Sequence, residues 1–403
     1  MPHDIANAVS VFLQITVFLI GVYYLAIGFF SLFSPPVKKG NGDCTRFAVV
    51  IPAHNEAGVL GDLLRSLQAQ DYPASHLHVF VAADHCTDCT EQIAAAWGAN
   101  VLVIQNPDNA GKGFVLASAL SLLHTAKEHY DAFAVLDADN IADPRFFAEL
   151  NEALQSGASA VQGYIDTKNP NDSWISHSYA LWYWISNRML QMGYHRLGLG
   201  CSLGGTGFAL SHKLLDEIPW QTHTLAEDAE YTAQLTLGGK KICYVPRAVV
   251  YDEKPTSFSV SLHQRMRWTQ GITQVQRDYG GKMLRRGQFG GFLRFWSNLL
   301  MPLCFLLLLL LDTAAIHQLW YGKAVAPVSF WAQPLTFLLL NFYLLGMLFC
   351  ILLGLVRDRK WNAKTILHIP GLFAYLISWI PTGILGALYH TEKEWYHTAH
   401  KSK

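Results

Sequence analysis

From Val9 to Phe33 the chain carries no charged residue, and at about 1.5 Å of helical rise per residue this run can cross a bilayer. A cleaved signal peptide would have a basic start and a shorter apolar core. Three more apolar runs close the chain: Phe295–Ile316, Leu335–Val356 and Ile366–Tyr389. Between them, from Arg46 to about Gln288, charge returns to the density of a globular domain. Such a chain divides into an anchor (1–37), a soluble body (45–255), a surface-lying stretch (256–290) and a membrane tail (291–403). Lys38 and Lys39 follow the first run, and Arg357, Arg359, Lys360 and Lys364 follow the third. The positive-inside rule then makes this a multi-pass inner-membrane protein with a cytosolic body. Pro370 and Pro381 interrupt the last run, and lysines flank it on both sides, so an interfacial or re-entrant element with a cytosolic C-terminus is expected.

Lys plus Arg and Asp plus Glu are both 30, so no basic excess points to nucleic acid. The seven cysteines are scattered. Cys86 and Cys89 form C-x-x-C, but no second pair completes a zinc site.

The body begins with "RFAVVIPAHNE", an apolar run that breaks at Pro52 into polar residues, as a buried strand enters a functional loop. Leu60, Leu63, Leu64 and Leu67 then recur at helical spacing. "LHVFVAADHCTD", "ANVLVIQ" and "YDAFAVLDADN" read as further strands, with a Gly-rich turn and helix, "AGKGFVLASALSLL", before the last. Strands alternating with helices imply an α/β fold with a mostly parallel sheet, whose ligands bind at the carboxyl ends of the strands. Asn55 with Glu56, Asp84, Lys112, and Asp137 with Asp139 all fall at such ends. The first strand lacks G-x-G-x-x-G and "GKG" lacks the rest of a Walker loop, so neither dinucleotide nor P-loop binding fits.

"DADN" supplies two carboxylates two residues apart. Sparse hard oxygen ligands of this kind suit Mg²⁺ or Mn²⁺, with phosphate completing the shell. "TLAEDAEYT" places Glu227, Asp228 and Glu230 at a helix start, where the dipole alone would favour acids. "CSLGGTGFALS" is a Gly-rich stretch that either turns the chain or lets a ligand approach the backbone. "QRMRW" sets Gln264, Arg265, Arg267 and Trp268 just before the tail, as lipid anchors or as a grip on an anion.

In this order the motifs resemble glycosyltransferase family 2 enzymes of GT-A fold, in particular the membrane-integrated cellulose, hyaluronan and chitin synthases. The resemblance runs by motif from Ala48 to Trp268. It implies a UDP-sugar donor and an inverting transfer. "PAHNE" corresponds to the first nucleotide loop, which brings in Pro52, Ala53, Asn55 and Glu56, and "AGKGFVL" brings in Lys112. Asp84 corresponds to the uracil and ribose contact, although Ala83 stands where tandem Asp is usual. Asp137 would face the nucleotide-sugar and Asp139 would ligate the metal. Asp228 corresponds to the catalytic base with Glu227 beside it, and Gly205, Thr206 and Gly207 to the acceptor-side loop. Gln264, Arg267 and Trp268 match Q-x-x-R-W, Arg267 facing the diphosphate and Trp268 the acceptor sugar, while Arg265 pairs with lipid headgroups. The ending "TEKEWYHTAHKSK" resembles a cytosolic W-x-x-T segment of the synthases. Trp174, Trp182, Trp184, Tyr179 and Tyr183 lie where family acceptor helices lie, either as an amphipathic surface helix or as a core helix.

The expected activity is therefore a processive β-linked polysaccharide synthase that secretes its product, with single addition to a lipid acceptor as the alternative. Four apolar segments are few for an exit channel, which leaves room for a homo-oligomer. A transporter or non-catalytic nucleotide-binding regulator is the rival of another class, and uncharged spans argue against an ion-coupled carrier.

Overall fold

The computed structural model describes residues 2–33, 40–105, 111–296 and 334–389, with a few more between 313 and 322. Lys38 and Lys39, residues 106–110, most of the run Phe295–Ile316 and the ending after Tyr389 lie outside the described residues.

A helix α1 (Pro2–Ser31) leads into strand β1 (Phe47–Ala53), helix α2 (Leu60–Gln68), β2 (Leu77–Asp84) and α3 (Thr90–Ala96). β3 (Asn100–Ile104), α4 (Lys112–His124), β4 (Ala132–Val135), a short β5 (Ile141–Ala142) and α5 (Phe146–Gln155) follow. β6 (Ala160–Thr167) then runs into a long helical segment, α6 (Trp174–Ile185), a wider-wound stretch Ser186–Met192 and α7 (Gly193–Arg196). β7 (Phe208–Ser211), α8 (His212–Glu217), α9 (Glu227–Leu237), β8 (Ile242–Asp252) and α10 (Phe258–Val275) complete the body.

The strands form one eight-stranded sheet in the order β3-β2-β1-β4-β7-β6-β8-β5. β1 pairs parallel with β2 and β4, β2 with β3, and β6 with β8. β7 runs antiparallel between β4 and β6, and β5 antiparallel to β8. The sheet is thus mixed rather than mostly parallel, because β7 is threaded into its middle from a distant part of the sequence. The carboxyl ends of β1, β2, β4, β6 and β8 nevertheless share one edge with the start of β7.

Residues of β1 alternate across the sheet. Phe47, Val49 and Ile51 pack with α2 and α5, Ala48 and Val50 with α4 and α9. A strand buried on both faces reads as an unbroken apolar run, which is why β1 was legible. α6 is a core helix over most of its length, with Ile175 through Leu181 buried, while Trp174 at its start is 42% exposed.

Among the described residues one helical stretch, Ile369–Leu388, is long and apolar enough to cross a membrane, and Phe18–Ser31 and Leu345–Arg357 are shorter apolar stretches. Ile369–Leu388 is two helices, Ile369–Ile377 and Trp379–Leu388, meeting at Ser378; the first packs on α6 and the second lies along α10. Gly386 permits this, since a Cβ there would stand 2.6 Å from Thr269 Cβ. Arg265 locks it. Its side chain is fully buried, donates to the Tyr375 carbonyl (3.1 Å) and Ser378 Oγ (2.8 Å), and lies over the Tyr375 ring. Arg265 therefore does not reach lipid headgroups; a helical stretch far along the sequence takes two hydrogen bonds from its Nη1 and lays aromatic rings against its guanidinium. Arg357 and Lys360 are likewise engaged by protein: Arg357 donates to the Leu32 carbonyl and Lys360 Nζ sits 2.7 Å from Asp166. With the Arg188–Asp358 pair, these contacts bring the end of α1 and the end of helix Pro334–Arg357 against the body.

Candidate active site

The shared strand edge opens into a cavity of about 850 Å³. Each strand end delivers its polar residues there because the chain leaves the sheet at that point. At the end of β1, Pro52 and Ala53, with Glu56 just beyond it, form one wall. Asn55 is not part of it. It sits at φ 57°, and its Oδ1 accepts from Thr87 N–H (2.7 Å) and Asp88 N–H (3.3 Å), tying the loop after β1 to the loop after β2. Asp84 ends β2 with its carboxylate held by His85 Nδ1 (2.6 Å) and Gly111 N–H (3.3 Å).

Lys112 opens α4 inside the cavity. Its Nζ lies 2.5 Å from Asp137 Oδ1, 2.9 Å from the Gly205 carbonyl and 3.7 Å from Glu227 Oε1. Burial would lower its pKa, but Asp137, Glu227 and Asp228 outweigh that and raise it, so Lys112 is a fixed cation. The glycines around it are required. Gly111 sits at φ 110°, and a Cβ on Gly113 would press on Thr222 and Glu227 at 3.0 and 3.1 Å.

Asp137 and Asp139 follow β4. Asn140 and Thr206 brace their loop: Asp137 N–H donates to Thr206 Oγ1 (3.0 Å), and Asn140 Nδ2 donates to Asp252 Oδ1 (2.9 Å). Asp139 is 8% exposed, and its pKa is raised well above the usual carboxylate value by burial and then by Asp252, Asp137 and Glu56, with Lys254 opposing. Asp137 is raised by burial too, with Lys112 pulling the other way. The described walls hold ten Asp or Glu against five Lys or Arg. Buried carboxylates crowded beyond their ammonium partners are a donor set that fits a hard divalent cation such as Mg²⁺ or Mn²⁺.

Glu227 and Asp228 enter the cavity from the start of α9, whereas Glu230, one turn on, faces away. Glu230 accepts from His223 and Thr224 N–H (both 2.8 Å) and from Tyr279 OH (2.9 Å), so it shapes the preceding loop. Burial and then Glu227 push the Asp228 pKa up to about 7 against the pull of Lys112. A carboxylate that changes protonation near neutrality can accept a proton from a hydroxyl.

The Gly-rich loop divides by role. Gly205 lies in the wall, at φ 81°, and a Cβ there would be 3.5 Å from Asp228 Oδ2. Thr206 also reaches the wall, but its hydroxyl is spent on Asn140 (2.5 Å). Gly207 is outside the cavity, where a Cβ would stand 2.6 Å from Val250 Cγ1, and it serves strand packing.

α10 closes the floor with Gln264, Arg267 and Trp268. Gln264 accepts from Tyr179 OH (3.0 Å), and Trp268 stacks on Trp379 with ring centres 6.3 Å apart. Arg267 is half-buried and makes no ion pair among the described residues. α10 also carries the Glu227 loop: Leu225 N–H donates to Gln274 Oε1 (2.9 Å), and a Cβ on Gly271 would stand 2.4 Å from Ala226 N.

Asp252 and Lys254, paired with each other at the end of β8, were missed in the sequence. Lys254 lies 3.5 Å from the Tyr183 ring centre and is almost fully buried. The signal was available, since "VVYDEKP" is another apolar run ending in charge, like "VLDADN".

Residues 45–271 match the Glycosyltransferase like family 2. The chain is 27% identical over 60% of its length to the probable glycosyltransferase YdaM of Bacillus subtilis, and 25% identical over 77% to the beta-monoglucosyldiacylglycerol synthase of Trichormus variabilis. Those matches span 58% and 65% of the relatives' own lengths. The mannosyltransferase PcManGT of Pyrobaculum calidifontis, solved with GDP-Man and Mn²⁺, superposes with a TM-score of 0.58 at 17% identity, covering 96% of this chain and 100% of that one. That likeness extends the shared fold beyond the catalytic body.

Proposed function

The chain belongs to the Glycosyltransferase like family 2, and we propose that it transfers one hexose from a nucleoside-diphosphate sugar, UDP-linked, to the hydroxyl of a diacylglycerol-type lipid at the membrane surface. One observation carries this reading. The same cavity is lined both by the carboxylate cluster and by Trp182, Trp268 and Trp379, the last from the apolar stretch Ile369–Leu388. A donor of high charge and an acceptor with an apolar body need both kinds of lining. Likeness to a glucosyldiacylglycerol synthase over 77% of the chain supports the lipid acceptor over the polysaccharide expected from the motifs.

In this reading Pro52, Ala53 and Asp84 take the nucleoside, while Glu56, Asp137 and Asp139 surround the diphosphate. Asp139 is the ligand for Mg²⁺ or Mn²⁺, which when bound offsets charge on the departing phosphate. Arg267 and Lys112 are the cations for the same diphosphate. Asp228 takes the acceptor proton as the acceptor oxygen bonds to the anomeric carbon and the bond to phosphate breaks from the far side, so the configuration inverts. Glu227 keeps Lys112 in place and raises the basicity of Asp228. Trp268 stacks on the acceptor beside the base. The body would work on the cytosolic side, with α1 and helix Pro334–Arg357 as spans and Ile369–Leu388 lying at the interface along α10.

The experiment is incubation of the purified chain with vesicles, with and without diacylglycerol, and UDP-glucose, UDP-N-acetylglucosamine or GDP-mannose in Mg²⁺ or Mn²⁺. UDP release that requires the lipid supports the proposal. Release at the same rate without lipid rejects the acceptor, and preference for GDP-mannose rejects the donor.

A further inference from the structure

A second group of ligand-type side chains lies at the other end of the sheet. α4 starts in the cavity at Lys112 and ends at His124, roughly 18 Å further along at the α-helical rise. β4 pairs antiparallel with β7, Ala132 opposite Ser211, so residues entering β4 and residues leaving β7 are neighbours. His212 N–H donates to the Asp131 carbonyl (2.8 Å) and closes this corner. His124, His129, His212 and Asp216 gather there. One ligand atom from each of His124, His212 and Asp216 lies within 4.8 Å of the others. The His124 and His212 rings stack with centres 4.2 Å apart, and the His129 ring centre is 4.6 Å from that of His212.

Three features distinguish this corner from a chance gathering. His212 Nδ1 is 3.0 Å from the Tyr130 carbonyl, which fixes the proton on Nδ1 and leaves the Nε2 lone pair available, the orientation metal-ligating histidines adopt. His124 Nε2 is shielded from solvent, makes no hydrogen bond among the described residues, and stands 3.2 Å from Asp216 Oδ1. His212 and Asp216 are four residues apart on α8, a spacing that puts two ligands on one helix face.

We infer that His124, His212 and Asp216 bind a divalent ion of the zinc class at a site separate from the catalytic cavity, with water completing the shell. The ion ties the end of α4 to α8. Two imidazoles with one carboxylate suit zinc, whereas Mg²⁺ takes oxygen ligands. The same chemistry separates this site from the oxygen-rich cavity.

The test uses the full chain in detergent, stripped with EDTA and returned to excess Mg²⁺, which fills the acidic cavity. Co²⁺ is the spectroscopic probe and Zn²⁺ the competitor. One equivalent of Co²⁺ with the visible absorption of a four-coordinate site, displaced by Zn²⁺, is expected. Asp216 is more than half exposed, so Asp216→Asn should leave folding intact and weaken Co²⁺ binding at least about tenfold. The double variant His124→Gln/His212→Gln should abolish binding. Unchanged Co²⁺ affinity in Asp216→Asn, or a wild-type chain that takes up no Co²⁺ in excess Mg²⁺, overturns the inference; either result stands even if the double variant does not fold.

Discussion

Asp139→Asn should make the protein more stable and less active. The carboxyl is buried among Asp137, Asp252 and Glu56, and its pKa is raised well above the ordinary value because the folded protein disfavours its charge. Removing a charge that the fold disfavours should therefore stabilise the metal-free protein. In the wild type, an ion at about 100 times its Kd should add about 2.7 kcal/mol, on the order of 5 °C in Tm for a domain of this size. Thermal unfolding in EDTA and in a Mg²⁺ or Mn²⁺ series reads both effects. Asn at 139 should raise Tm in EDTA and erase the metal-dependent rise. A variant that is less stable in EDTA, yet keeps the full metal shift, would refute the assignment of this cluster to the ion.

Asp228→Asn should leave donor binding within a few-fold and cut turnover by about 10²-fold or more, read as kcat against donor Kd. Because Asp228 acts deprotonated and is held up to about 7, the wild-type kcat/KM should rise with pH through neutrality and fall away on the acid side, a dependence the Asn variant lacks. Gly271→Ala drives a Cβ to 2.4 Å from Ala226 N, so it should cost about 1–3 kcal/mol in unfolding and also lower kcat by displacing the Glu227 loop. Arg265→Lys keeps the charge but loses the planar guanidinium that lies over the Tyr375 and Trp379 rings, so it should lose about 0.5–2 kcal/mol and expose Ile369–Leu388 to limited proteolysis.

The sequence disclosed the site better than the scaffold. β1, β2 and β4 are buried runs that each lead into charged residues, so both the strands and their cavity-lining ends stand out in one dimension. β6, β7 and β8 do not, because β7 is four residues long and its partners come from distant segments. The mixed sheet follows from that threading. Asp252 ends, and Lys254 follows, a strand of eleven residues interrupted by Pro246 and Arg247, so both escaped the pattern that revealed Asp137 and Asp139. Arg265 shows the limit of local reading. In sequence it is a basic residue beside an apolar tail; in the fold its partners come from 110 residues later. Thr206 and Gly207 read as ligand contacts because Gly-rich loops serve both ligand approach and strand packing, and only the neighbouring atoms separate the two.

Product size tests the central claim most directly. Purified protein, diacylglycerol vesicles and radiolabelled UDP-glucose should give a single glycolipid whose mass exceeds that of the acceptor by one hexose, at every donor concentration and time. Trp268→Ala should reduce its yield without changing its size. A ladder or a polymer that lengthens with donor concentration would contradict single addition to a lipid and return the chain to the processive synthases its motifs resemble.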